Sequence, residues 1–342
     1  MDDQVTKISA RKDEHLRICL EEEVESGVPT GFDDVHLQVL TLPELDFDSI
    51  DSSTVVFGKK LDAPLLISSM TGGSGKTRHF NQLLARAANE FHIAMGVGSQ
   101  RAALVHDGLE DTFAVARKEA PNALLFANLG VAQLNEGFGL DECQRAVDML
   151  EADGIFIHLN ALQEALQPEG NRNFSGLLKK IENIAKALPV PVIAKEVGCG
   201  IDPQTARLLV EAGISGIDVA GVGGTSWAAV EMYRQTDLVR KALCQRFIDW
   251  GIPTAQALQG IADLPAGVLK ISSGGLRSGL DAAKSISMGA DLAGFARKLI
   301  VAAHNGTEAL NEAIRLIMLE LKVTMFLSGA KDLETLRTRL VK

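Results

Sequence analysis

Short apolar runs bounded by glycine or polar residues recur along the chain, at 64–70 (PLLISSM), 92–98 (HIAMGVG), 122–130 (NALLFANLG) and 154–160 (GIFIHLN). Four more follow at 191–198, 214–221, 267–275 and 290–297. Their hydrophobicity is nearly continuous, the pattern of a strand buried on both faces. Between them, segments such as 80–91, 140–150, 174–188, 202–213 and 278–289 carry apolar residues at helical spacing. Strand–helix alternation implies parallel strands joined by helical crossovers, and eight repeats favour a closed (β/α)8 barrel over an open doubly wound sheet. The sixth connection is the longest, so residues 221–253 are predicted as a lid insertion at the barrel mouth. Residues 1–60 lack regular alternation and read as an N-terminal extension, whereas 306–326 reads as a long closing helix. The whole of 1–342 is predicted to be one domain.

Composition adds limits. Apolar residues make up 46% and charged residues 23%, an ordinary globular balance. A net charge of -10 argues against nucleic acid as a partner, so any phosphate must be held by a local site. Cys19, Cys143, Cys199 and Cys244 show no metal-ligand spacing, which fits reduced thiols. The first fifteen residues lack the apolar core of a signal peptide, and no stretch reaches the roughly 18 apolar residues of a membrane span. A cytoplasmic protein with no membrane partner is expected.

Barrel enzymes place their chemistry where strands end. Here those ends are polar: Ser69-Met70-Thr71, Ser99-Gln100-Arg101, Asn128, His158 with Asn160, and Lys195 with Glu196. The last two strands run into Gly274-Gly275 and Ala296-Arg297, the positions where barrels often hold phosphate on backbone amides. Lys195 lies in an apolar strand, which costs desolvation unless an anion or electron-rich ligand offsets it. It reads equally as a Schiff-base lysine or as a cation beside a flavin. In HLNALQE, one loop carries Asn160, Gln163 and Glu164. Glu164 is a candidate magnesium ligand, or a solvated loop carboxylate. Arg11, Lys12 and His15 form a cationic cluster suited to a diphosphate, but beside Asp13 and Glu14 the spacing alone favours a solvated charged segment. Gly75-Lys76-Thr77 ends like a P-loop, yet the required earlier glycine is Met70.

Taken together, the segments ARKDEHL, SSMTGGSGKT, GVGSQRAAL, FANLG, HLNALQE, IAKEVG, GVGGTSW, FIDWGIPTAQAL and SSGGLRSGLDAAK strongly resemble the type 2 isopentenyl-diphosphate isomerases. The match spans nearly the whole chain. The resemblance implies an FMN-dependent barrel that interconverts isopentenyl and dimethylallyl diphosphates with reduced flavin and magnesium, with NADPH as the initial reductant. It also implies a homo-oligomer, a tetramer or octamer. Carried over by position, it assigns Arg11, Lys12, His15, Ser99, Gln100, Arg101 and Gln163 to the substrate, and Glu164 to magnesium. It assigns Ser69, Met70, Thr71, Ser99, Asn128, Lys195 and Thr225 to the flavin, and Gly274, Gly275, Ala296 and Arg297 to its phosphate. His158, Asn160, Gln163 and Lys195 are the expected catalytic residues. One departure is visible: where this family often has serine, the chain has Ala220. Because the double-bond shift needs a proton added and another removed, acid–base catalysis by the reduced cofactor is expected, with Gln163 orienting the substrate or relaying the proton and Lys195 tuning the flavin. The alternatives are an FMN-dependent oxidoreductase of a small hydroxy acid, a nucleotide hydrolase, or a non-catalytic phosphometabolite-binding barrel.

Overall fold

The computed structural model describes residues 2–341 apart from Thr71 and Asp107, with side chains from Ala10 onward. After a hairpin of β1 (Thr54–Val56) and β2 (Lys59–Leu61), eight strands follow. They are β3 (Leu65–Ile67), β4 (Ala94–Gly96), β5 (Leu125–Gly130), β6 (Gly154–Leu159), β7 (Val192–Glu196), β8 (Gly216–Asp218), β9 (Leu269–Ser273) and β10 (Leu292–Phe295). All pair in parallel, and β10 closes on β3 to complete the barrel. Each of the eight barrel strands lies inside one of the apolar runs, and the polar residues of those runs stand at the C-terminal ends of the strands or just beyond them.

Side chains alternate between two cores, as the pleat requires. Residues such as Ile67, Leu125, Ala127, Ile155 and Ile157 join the large core that also contains the surrounding helices. Leu66, Phe126, Phe156, Ile193, Ile271 and Leu292 form a separate cluster within the barrel. Phe126 and Phe156 pack with their rings tilted by 50° and their centroids 4.9 Å apart. Val56 and Leu61 of the hairpin join this cluster, and Phe57 meets Phe126 edge-on at 6.3 Å, so the hairpin plugs the floor of the barrel.

The N-terminal segment differs from expectation. It contains a helix, Asp2–Glu21, as well as the hairpin. The helix was hidden because charged residues dominate it and few positions are buried: Ile18 packs with Val24, Ala229 and Val230, beside the partly buried Leu16 and Leu20. The hairpin was hidden because three-residue strands are too short to show a period. The long sixth connection contains helices Trp227–Arg234 and Leu238–Arg246, which pack against the N-terminal helix and helix Ala161–Leu166 at the mouth. Among the described residues no helix is long and apolar enough to cross a membrane.

Candidate active site

Two cavities open side by side at the C-terminal end of the barrel. The larger, about 460 Å³, is bordered by Ser69, Met70, Thr225, Gly274, Gly275 and Ala296. Its far end is built from backbone. Gly274 and Gly275 adopt φ of 105° and 77°, values that favour glycine. A Cβ on either would lie 2.2 Å from the carbonyl oxygen of Gly221 or Gly223. The loops after β8 and β9 therefore lie against each other with no room for side chains. Helix Arg297–His304 begins at the same end, so its unpaired amides and dipole favour an anion there. Ser68 and Ser69 carry buried hydroxyls with no hydrogen-bond partner among the described residues, which suits a polar ligand in this cavity.

Lys195 stands in the wall between the two cavities. On neighbouring strands it is in register with His158 of β6 and Asp218 of β8. Its Nζ donates to Asp218 Oδ2 at 2.7 Å and to Ser273 Oγ at 3.4 Å, while Ser273 Oγ donates to Asp218 Oδ1 at 2.6 Å. The lysine is only 5% exposed and the aspartate 0%. A lysine ion-paired in this way is a fixed cation, which disfavours the neutral amine of the Schiff-base reading. The sequence reading passed over Asp218; its signal was an acid in the middle of the apolar run ISGIDVAG.

The smaller cavity, about 90 Å³, is bordered by charged and amide side chains. Arg11 and Lys12 enter from the N-terminal helix, Arg101 from the start of helix Arg101–Val105, Asn160 from just past β6, and Gln163 and Glu164 from helix Ala161–Leu166. Burial, with the neighbouring charges of Arg11 and Arg101, brings the Lys12 ammonium down to about 7. Arg11 has Glu169 at 3.4 Å and Arg101 has Glu136 at 3.0 Å, but Lys12 has no acidic partner among the described residues. Burial, then Lys12 and Lys195, push His158 down to about 3, so its ring is neutral; its Nδ1 lies 2.7 Å from Asn128 Oδ1.

Glu164 is buried and contacted by neutral donors alone. Asn160 Nδ2 reaches Oε1 at 3.1 Å, and Gln167 Nε2 and the Asn171 amide reach Oε2 at 2.7 and 2.6 Å. Asn160 Oδ1 is buried without a partner among the described residues. A carboxylate and an orphaned carbonyl oxygen on one wall fit a hard cation. The described residues include no cluster of three or more acidic, histidine or cysteine side chains placed to hold a metal. An ion at Glu164 would thus need oxygens from the substrate to complete its coordination.

Not every expected residue reaches its expected place. Gln100 is fully buried and its side chain is already bound: Nε2 donates to the Ala146 carbonyl at 2.8 Å and Oε1 accepts from the Asn128 amide at 2.9 Å. It braces the cavity wall and does not offer a substrate contact. The Arg297 guanidinium is already engaged, donating to the carbonyls of Cys19 (2.8 Å) and Glu22 (3.4 Å) and to Glu25 Oε1 (3.2 Å), which ties down the end of the N-terminal helix. Ser99 and Asn128, assigned to the flavin, border the smaller cavity instead of the larger. Thr71 lies outside the described residues. Lys76 is exposed, and Thr77 forms a capping box with Ser74, so Gly75-Lys76-Thr77 is a helix start and not a phosphate loop.

His15 lies on the buried face of the N-terminal helix, its Nε2 3.0 Å from Glu231 Oε1 and its ring edge-on to Trp227 at 5.1 Å. Glu231 is fully buried and also accepts from Arg234 Nη1 at 2.6 Å. Sequence reasoning missed this pair, because an acid and a base three apart on a helix look like a surface ion pair. Ala220 borders the larger cavity with φ of 37°, and its carbonyl accepts from the amides of Gly198 and Gly200.

Comparison with known proteins adds to this geometry. The family described as FMN-dependent dehydrogenase matches residues 156–342. An isopentenyl-diphosphate delta-isomerase of a Nostoc strain is 48% identical over 329 residues, covering 96% of this chain and 94% of its own. The protein of the same name from Archaeoglobus fulgidus is 49% identical with the same coverage, and that from Stutzerimonas stutzeri is 47% identical, covering 96% and 95%. Among solved structures, a mandelate oxidase variant with an FMN adduct superposes with a TM-score of 0.66 at 19% identity, covering 99% of this chain and 98% of its own. A Pediococcus acidilactici lactate oxidase gives 0.67 at 17%, covering 99% and 93%. At such identities the two oxidases share the fold alone.

Proposed function

The chain belongs to the isopentenyl-diphosphate delta-isomerase family, and from that premise we propose that its two cavities divide one reaction between them. The larger holds FMN, with the phosphate at Gly274, Gly275 and the start of helix Arg297–His304. The smaller holds isopentenyl diphosphate, with Arg11, Lys12 and Arg101 on the diphosphate and magnesium between it and Glu164. The observation that carries this reading is the cluster of Arg11, Lys12 and Arg101, whose lysine has no acidic partner among the described residues, on the same cavity as a buried carboxylate and one lysine away from a glycine-lined cavity.

Bound in its reduced form, FMN supplies an electron-rich ring at which protons can be exchanged without net oxidation. The protein does the rest. Lys195 presents a fixed positive charge to the cavity from the shared wall. Gln163, whose Oε1 accepts from Asn160 at 3.1 Å, is held with its Nε2 free to orient the alkene or relay a proton. Neutral His158 adds no competing charge. Magnesium and the three cations neutralise the diphosphate so that it stays attached. Trp227 and the helices of 221–253 form a lid that keeps water from the site.

A hydroxy-acid oxidoreductase suits the charges less well, because a monocarboxylate would leave two of the three cations unmatched. NADPH would serve to reduce FMN at the outset. Counting NADPH oxidised per dimethylallyl diphosphate formed tests the proposal: many products per NADPH are expected, whereas one redox equivalent per product would refute isomerisation.

A further inference from the structure

We propose that Asp218 is a positioning residue that acts through Lys195: it keeps the lysine charged and aimed at the cofactor cavity, with Ser273 holding the carboxylate in place. The inference rests on the FMN reading above and concerns how that site is tuned.

Three consecutive strands each contribute one side chain. Lys195 comes from β7, Asp218 from β8 and Ser273 from β9, and both carboxylate oxygens are bound, one by each neighbour. All three side chains are buried, and Lys195 and Ser273 border the larger cavity while Asp218 does not. The carboxylate is therefore placed to touch the lysine and not the ligand. An ammonium buried at this depth would shed its proton without a counter-charge. The serine hydroxyl occupies the second oxygen and stops the carboxylate from rotating away. The wall therefore presents a charged lysine, and with it a fixed positive field at the cofactor, before any ligand arrives.

Removing the counter-charge makes that field depend on proton supply. Other titratable groups around Lys195 are Lys12 from the N-terminal helix, the neutral His158 on β6 and Glu196 on its own strand. Burial raises Glu196 to about 7, and Lys12 also titrates near there. Both titrate in the parent protein as well, so the readout is the difference between variant and parent.

The experiment uses the full chain and measures dissociation constants for oxidised and reduced FMN, from about pH 6.5 to pH 8.5, in the parent, Asp218→Asn, Ser273→Ala, Lys195→Met and Lys195→Met/Asp218→Asn. In Asp218→Asn, reduced-FMN affinity should fall relative to the parent as pH rises, by roughly tenfold per unit at most once the lysine is neutral, while oxidised FMN changes far less. Ser273→Ala should show the same trend more weakly. In the Lys195→Met background, Asp218→Asn should no longer weaken reduced-FMN binding. A loss equal for both redox states and independent of pH, or one that persists without the lysine, would overturn the proposal and leave Asp218 a merely structural group. If the parent fails to bind FMN, or Lys195→Met leaves both affinities unchanged, it is the underlying FMN reading that fails.

Discussion

The two cavities share a wall but are built from different material. The larger is formed at its phosphate end by loop backbone after β8 and β9, where a Cβ on Gly274 or Gly275 would collide with the facing loop, and by the start of helix Arg297–His304. The smaller is formed largely by side chains from several separate parts of the chain, the N-terminal helix and helix Ala161–Leu166 among them. A backbone-built site holds a ligand that stays, because its shape is set by the fold and fails when the shape changes. A side-chain site holds a ligand that turns over, because individual charges and amides can be altered while the barrel persists. Damage to the first should remove the cofactor and some stability; damage to the second should remove catalysis and leave the flavin bound.

The sharpest break comes from Gly275→Ala. The new Cβ would lie 2.2 Å from the Gly223 carbonyl at a φ of 77°. The protein should purify without bound FMN and lose about 1–3 kcal/mol of stability, read by absorbance and thermal melting. On the other side of the wall, Gln163→Ala should lower kcat roughly 100-fold or more with an unchanged flavin spectrum. Near-normal turnover would remove Gln163 from the reaction. Glu164→Gln should raise the magnesium needed for half-maximal activity roughly tenfold or more, again with flavin retained. A response to magnesium equal to that of the parent would move the ion elsewhere.

The acid–base state of the cation cluster gives a gentler test. With Lys12 lowered to about 7 in the free enzyme, its positive charge is present below that pH and lost above it. A diphosphate prefers the charged form, so kcat/KM should fall as pH rises through about 7. Lys12→Arg, which stays charged, should flatten that limb. The smallest effect is expected at Ala220, where serine would add a hydroxyl to the larger cavity and tighten FMN roughly threefold without altering turnover. Weaker binding would show that the hydroxyl has no partner there.

The barrel was legible because each strand is buried on both faces and so appears as an unbroken apolar run, as in residues 122–130. The ends of those runs placed Lys195, Asn160 and Glu164 at the mouth for the same reason. What escaped notice depends on contacts between distant segments. Nothing local to RKDEHL distinguishes a solvated segment from a helix that carries Arg11 and Lys12 over the mouth; its partners Glu169 and Glu231 lie over 150 residues away. Gln100 and Arg297 were assigned by position, but whether a polar side chain faces a ligand or a neighbouring carbonyl is set by packing. The hairpin at 54–61 seals the floor with two short strands that carry no periodic signal.

The most direct test of the shared wall is a crystal structure of the protein with FMN, magnesium and isopentenyl diphosphate bound. It should place the flavin ring in the larger cavity beside Lys195, its phosphate at Gly274 and Gly275, and the substrate diphosphate on Arg11 and Lys12 with the metal at Glu164. A diphosphate lodged in the glycine end, or a flavin ring far from Lys195, would contradict it.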